Sequence, residues 1–428
     1  MSPTALSPAR TVLPNGVVLL TQRTTTQPAV AIDLVLRTGS VHDPVEHLGV
    51  ANFAAHVIDQ GTTSRSAEQL AEAFDDRGIA LEAYASRHRF GMTCTCLASD
   101  AESVLALVAD IVRRPSFPDD RVATRRVEIE TGIRRDADSP AETADALVRA
   151  LIYGETHPYG RRTSGTLESL ARIDRQAIAD FHRTHCAPER ATLTIVGDID
   201  PGAALDVASR GFGDWTSPPP PPEAALTPAA SNGRRRAVRS LPGKVQADVA
   251  YGFAGITRSD ARYHAFWIMN NVLGQYGLGG RLGDSIRERQ GMAYYVFSEL
   301  EANVGPGPLI IRAGVSPDNV ERAIASIDEE VGMMGRDGVS DKELADAKQY
   351  LIGSIPRMLE TNARIAAFLQ TVEQFDLGLD YDARLAGLLE AVSLEEVREA
   401  AASLLAPDRA AVAVAGPIDS ASGEEART

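Results

Sequence analysis

The chain reads Ala187-Pro188-Glu189-Arg190-Ala191-Thr192-Leu193-Thr194-Ile195-Val196-Gly197-Asp198-Ile199-Asp200 and, much later, Ala406-Pro407-Asp408-Arg409-Ala410-Ala411-Val412-Ala413-Val414-Ala415-Gly416-Pro417-Ile418-Asp419. Both stretches run in one register: a proline-marked break, an apolar run suited to a buried strand, then a glycine turn. An amphipathic helix precedes each, Arg175–His185 in the first copy and Leu394–Leu405 in the second. A β-like run arises easily by chance; matched flanks on both sides do not. The pattern predicts a duplicated unit.

Between the copies lies Thr216–Arg236, which holds Pro218–Pro222 and then Arg234-Arg235-Arg236. Consecutive prolines favour an extended, semi-rigid spacer. The expected organisation is a first domain over residues 1–215, a linker over 216–236 with the Arg run as its solvated end, and a second domain over 237–428. Within the first half, Gly16–Gln22 and Ala29–Arg37 read as strands and Leu81–Leu97 as a strand hairpin. Gly49–Asp59, Ser66–Arg77 and Ser99–Arg113 have helical spacing, with Ser64 or Ser66 as cap and Gly78 as stop for the second. The predicted class is α+β: two homologous domains, each an antiparallel sheet with helices packed on one face.

A chain of 428 residues is too long for one ordinary core, which agrees with two domains. A net charge of -15 argues against nucleic acid or an anionic membrane as the main partner. No stretch approaches the length of a membrane span, and Met1–Arg10 has no apolar leader segment, so a cytoplasmic address is expected. Cys94, Cys96 and Cys186 make no disulfide framework; the first two alternate in an apolar run and are expected as buried thiols on one strand face.

The stretch His47-Leu48-Gly49-Val50-Ala51-Asn52-Phe53-Ala54-Ala55-His56, followed by Gln60-Gly61-Thr62, resembles the active-site helix of the pitrilysin/insulinase (inverzincin) zinc peptidases. In that family H-x-x-E-H puts two zinc-binding histidines one helical turn apart, with the glutamate as general base. Here the first histidine position is Asn52 and the glutamate position Ala55; only His56 remains. The family's third ligand, a glutamate on a later helix, aligns with Gly132 in the stretch Arg126–Pro140. A catalytic zinc normally needs three protein ligands, so the resemblance implies that this chain binds no metal and has no catalytic residue of its own. His56 reads as a half-buried helix residue. His182 and His185, three apart on a helix, could share a face but read as structural, and His42 and His47 read as loop residues.

Other parts of the resemblance are intact. His157-Pro158-Tyr159-Gly160, Gly165-Thr166-Leu167-Glu168-Ser169-Leu170, Phe181, Pro188 and Val196-Gly197-Asp198 are similar to the end of the family's first domain. In the second half, Ile286-Arg287-Glu288-Arg289-Gln290-Gly291-Met292-Ala293-Tyr294 resembles the family's second-domain motif, which implies that Arg287 and Tyr294 bind the substrate backbone or an oxyanion. The glycine-rich loop with Gly274, Gly277, Gly279 and Gly280 follows a predicted helix and no buried strand, which excludes a phosphate loop. It is similar to the glycine-rich loop of non-catalytic mitochondrial processing peptidase subunits, and implies bending toward a channel. Leu81–Ser86 is similar to the substrate-pairing edge strand, with Glu82-Ala83 where Asn-Ala is usual.

The resemblance implies a non-catalytic, substrate-binding subunit of a heterodimeric zinc metallopeptidase, with zinc held by a homologous partner carrying H-x-x-E-H and a peptide as substrate. One such pair acts on the precursor peptide of pyrroloquinoline quinone, and this chain is a candidate for its inactive member. The alternatives are a structural or assembly protein that keeps the fold alone, and an independent enzyme with a displaced metal site at His56, Glu128 and Glu130.

Overall fold

The computed structural model describes residues 6–222, 226, 233–275 and 279–418. Strands β1 (Ala9–Val12), β2 (Val18–Arg23), β3 (Ala29–Leu36), β4 (Glu82–Ala85), β5 (Phe90–Leu97) and β6 (Ala191–Gly197) form one sheet in the order β1-β2-β6-β3-β5-β4. Strands β7 (Arg235–Ser240), β8 (Ala247–Ala254), β9 (Ala293–Leu300), β10 (Pro308–Val315) and β11 (Ala411–Gly416) form the other, in the order β7-β11-β8-β10-β9. Leaving out β1, the two orders are the same. In each, the last strand pairs parallel with the first and every other pairing is antiparallel.

The duplicated stretch explains this identity. β6 and β11 are its two apolar runs, and each ends in a glycine that only glycine serves. Gly197 has φ 152° and a Cβ there would lie 2.2 Å from the Ala29 carbonyl oxygen; Gly416 has φ 154° and a Cβ would lie 2.6 Å from Ala247 Cα. The chain must cross the neighbouring strand's first residues at that point, and a side chain would block it.

The first-half helices are α1 (Val50–Val57), α2 (Ala67–Asp75), α3 (Ala101–Arg113), α4 (Asp119–Ala137), α5 (Pro140–Tyr153), α6 (Leu167–Arg172), α7 (Arg175–His185) and α8 (Pro201–Phe212). The second half adds α9 (Tyr263–Asn270), α10 (Val320–Asp337), α11 (Asp341–Met358), α12 (Asn362–Gln374), α13 (Tyr381–Ala391) and α14 (Leu394–Leu404). Their limits follow from local chemistry. α2 starts at Ser66, which forms a capping box with Gln69, and the chain leaves it at Gly78 with φ 63°.

Two compact units result, and each borrows a segment from the other half. The first takes in Ile355–Arg384, and the second takes in Arg134–Arg161. They therefore differ from the contiguous domains 1–215 and 237–428. Alternation along the strands gives the reason. In the first unit Leu19, Val30, Ile32 and Leu34 face the core shared with α1, α3, α7 and α8. Val18, Leu20, Ala31 and Val196 face the other way, against Ile365, Ala366 and Leu369 of α12. In the second unit the Tyr251 hydroxyl donates to Asp328 of α10 at 2.8 Å, while the next residue, Gly252, faces Ile152 of α5. Each sheet is apolar on both faces, so each needs a second cover. Fully burying one side chain such as Leu369 is worth roughly 1.5–3 kcal/mol, enough to hold α12 in place.

The Arg run is exposed at Arg234 and Arg236, as a linker end would be, but it is tied to the second unit. Arg234 pairs with Asp328 at 2.7 Å, Arg235 donates to the Leu151 carbonyl, and Arg236 pairs with Glu321. The last two open β7, recruited by parallel pairing to β11. Cys94 and Cys96 lie buried on one face of β5, and burial pushes their thiols up to about 12 and about 11, which leaves them unreactive. Among the described residues, no helix is long and apolar enough to cross a membrane.

Candidate functional site

Helix α1 is firmly seated at its start. Gly49 precedes it with φ 94°, and both oxygens of buried Asp43 accept from its first turn, from the Gly49 N–H at 2.7 Å and the Ala51 N–H at 3.0 Å. Val50, Phe53, Ala54 and Val57 go into the core. The helical period leaves Asn52 half-buried and His56 exposed one turn apart, with Ala55 buried beside them. Helix α4 runs alongside. Its Arg126 places a guanidinium 5.3 Å from the Phe53 ring centroid and donates to the Leu170 and Ile173 carbonyls.

At the place implied for zinc, the donor set does not fit the metal. Asn52 is a neutral amide, Ala55 offers no base, and a Cβ at half-buried Gly132 would meet no atom within 4 Å. His56 stands instead beside Arg125 and Glu128, which pair with each other at 2.6 Å. Partial desolvation lowers the His56 pKa first, Arg125 adds to it, and Glu128 and Asp59 oppose it. Glu128 is thus engaged in an ion pair. Among the described residues no three His, Cys, Asp or Glu side chains stand as a metal-ligand set. His182 Nε2 is bonded to the Val112 carbonyl at 2.7 Å, and the His185 ring lies 5.0 Å from that of His42. Burial holds His42 and His185 down to about 4, with Arg190 a lesser cause for both. They are neutral packing residues. His47 ends a short 3-10 turn, Val45–His47.

The second-domain motif is arranged differently. Residues Gly283–Arg289 form a π-helical turn that buries Ser285 and Ile286 and leaves Arg287 exposed. The carboxylate that Arg287 approaches is Glu288, at 4.0 Å. Tyr294 sits in a β-bulge: Tyr295 is opposite Gly314 and Ala293 opposite Val315, so no residue of β10 faces Tyr294. Its side chain is 63% exposed. The bulge, which the motif alone did not announce, interrupts the alternation, so that Tyr294 and Tyr295 are both at least partly exposed.

Two of the glycines serve close packing. A Cβ at Gly274 would lie 2.9 Å from the Ser298 nitrogen, and one at Gly280 would lie 2.9 Å from Gly274 Cα. Gly279 is exposed, and Gly277 lies outside the described residues. Arg281, next to them, is held by both oxygens of Glu343, at 2.6 and 2.8 Å. In the first unit a cleft of about 420 Å³ opens beside the end of α1, with Leu70, Phe74 and Ile79 as its floor and Asp59, Arg121 and Arg125 on its rim.

Comparisons with other proteins agree with this geometry. Residues 18–165 match the family described as insulinase (peptidase family M16), and residues 172–351 match the peptidase M16 inactive domain. An uncharacterised zinc protease of Mycobacterium tuberculosis is 29% identical over 419 residues, 96% of this chain and 94% of that protein. One from Bacillus subtilis is 26% identical over 353 residues, 82% of this chain and 85% of that protein. The crystal structure of a peptidase M16 inactive domain from Pseudomonas fluorescens superposes with a TM-score of 0.90 at 24% identity, covering 96% of this chain and 98% of that one. The periplasmic protease PqqL of Escherichia coli superposes with a TM-score of 0.78 at 17% identity, covering 99% of this chain but 49% of that one. With family models matching residues 18–165 and 172–351 and no H-x-x-E-H in its sequence, this chain is a member of the insulinase family of peptidases, family M16, that lacks the H-x-x-E-H motif.

Proposed function

We propose that the chain is the non-catalytic, substrate-binding subunit of a heterodimeric zinc metallopeptidase. A homologous partner carrying H-x-x-E-H holds the zinc, which activates the attacking water. This chain contributes Arg287 and Tyr294. A guanidinium offers forked N–H donors to a peptide carbonyl, and a phenol O–H donates to an oxyanion as it develops.

One contrast carries the reading. The helices of the metal site are well seated but carry Asn52, Ala55 and no side chain at 132, while Arg287 and Tyr294 are exposed with no side-chain hydrogen bond among the described residues. Structural decay alone gives no reason to keep an exposed Tyr on a bulged edge strand. The Escherichia coli protease supports pairing: this chain accounts for 49% of its length, which leaves room there for a second unit of similar size.

Mixing the purified chain with an H-x-x-E-H homologue from the same genome tests this. Peptide hydrolysis is expected from the mixture and from neither chain alone. Arg287→Ala should lower turnover roughly a hundredfold, the cost of losing one oxyanion donor, without preventing co-elution. Co-elution with unchanged turnover would instead favour an assembly role, and zinc-dependent hydrolysis by this chain alone would refute the proposal.

A further inference from the structure

Arg287 is presented by a π-helical turn, a register that proteins use rarely and in short stretches. We propose that Ser326 and Glu330 of α10 are positioning residues that hold Gly283–Arg289 in this register and so aim Arg287. The proposal rests on the substrate-binding reading above and says what sets the geometry of that site.

In an α-helix, residues five apart point about 140° away from each other. In the wider π turn they come nearly into line. Two such pairs are joined across Gly283–Arg289. Arg289 pairs with Asp284 at 2.9 Å, and Gln290 Nε2 donates to Ser285 Oγ at 3.4 Å. An α-helical register would instead bring Asp284 beside Glu288, four residues on, where like charges repel. The backbone closes the turn with the Gly291 N–H on the Arg287 carbonyl at 3.0 Å and the Met292 N–H on the Ile286 carbonyl at 3.1 Å.

The second member of each pair is held by one face of α10. Ser326 Oγ accepts from Gln290 Nε2 at 3.2 Å, and the Glu330 carboxylate lies 3.7 Å from Arg289. Ser326 and Glu330 are four apart and so stand one above the other on their helix. They are buried, 9% and 5% exposed, whereas Asp284, Arg289 and Gln290 are exposed. Pairs between exposed side chains contribute little alone; anchors buried behind them give fixed points. Arg287 lies midway between the ends of the two pairs, next to Ile286, which is fully buried. A change of register would rotate Arg287 about the helix axis and take its guanidinium out of place.

Amide hydrogen exchange and partner-dependent hydrolysis, both with the full chain, test this. In the isolated chain, Ser326→Ala with Glu330→Gln should speed exchange at Gly291 and Met292 roughly tenfold, with an unchanged circular dichroism spectrum, and Arg287→Ala should not. Glu330→Gln alone, the milder change, should move exchange in the same direction. In the mixture with the H-x-x-E-H homologue, the double variant should lower kcat roughly tenfold at unchanged KM. In an Arg287→Ala background it should cost less than about twofold more, because residues that act through Arg287 then have nothing to aim. Unchanged exchange overturns the proposal, and so do losses that simply multiply in the two backgrounds. The exchange measurement needs no partner, so a wild-type mixture without activity strikes the peptidase reading alone.

Discussion

Arg126 lays its guanidinium over the ring of Phe53, 5.3 Å from the centroid, and so ties together the two helices on which the family's zinc ligands would stand. Supplying the two missing ligands beside His56, by Asn52→His and Gly132→Glu together, is expected to give one bound zinc per chain, and either change alone none, since three ligands are required. Metal analysis after dialysis checks it. Gly132→Ala alone should raise stability by about 0.5–1 kcal/mol, the cost of glycine inside a helix, because a Cβ there meets nothing within 4 Å.

Arg287 and Tyr294 offer the opposite profile. Both are exposed, so Arg287→Ala and Tyr294→Phe should leave the denaturation midpoint within about 0.5 kcal/mol of wild type, while reducing partner-dependent turnover. A large loss of stability would mean that these side chains act as scaffold.

Asp33 makes stability depend on pH. It is 6% exposed on β3, with Oδ1 unpartnered, and burial pushes its carboxyl from 3.8 up to about 6, with Arg89 opposing. The folded state therefore favours the protonated acid. That contribution is complete below pH 4 and is lost as pH rises through about 6. Asp33→Asn should thus stabilise at pH 8, on the order of 2 kcal/mol, and much less at pH 4. Urea melts at the two pH values measure the difference.

In the second unit Arg149 pairs with Asp145 at 2.6 Å and also with Glu301, and Arg312 joins both carboxylates. Arg149 is buried, so Arg149→Met should cost about 3–5 kcal/mol by leaving the acids undercompensated. A melt within 1 kcal/mol of wild type would show that Arg312 suffices.

Gly197 and Gly416 make equivalent turns, so Gly197→Ala and Gly416→Ala should each destabilise, by more than about 1 kcal/mol given the φ and the backbone clash. Thermal denaturation of the two variants compares the copies directly.

Much of this was legible in the chain itself. The period-two runs, the Ser66 cap, the Gly78 stop and the matched flanks of β6 and β11 are local signals, and local signals survive without tertiary context. The absence of H-x-x-E-H is a local reading of the same kind, because the spacing on one helix fixes which side chains share a face. The linker reading of Arg235 and Arg236 missed their place in β7, because strand pairing with β11 lies far off in sequence.

Sequence alone determined the duplication, the helix and strand types, and the absence of H-x-x-E-H. Only the tertiary structure decided that α5 and α12 cross to cover the other half's sheet, that Glu128 is taken by Arg125, and that a bulge leaves Tyr294 unopposed and exposed. The reason is physical. Periodicity records which face of an element is apolar, but not which distant surface covers it, and a one-residue bulge leaves composition and spacing unchanged while reversing every side chain beyond it.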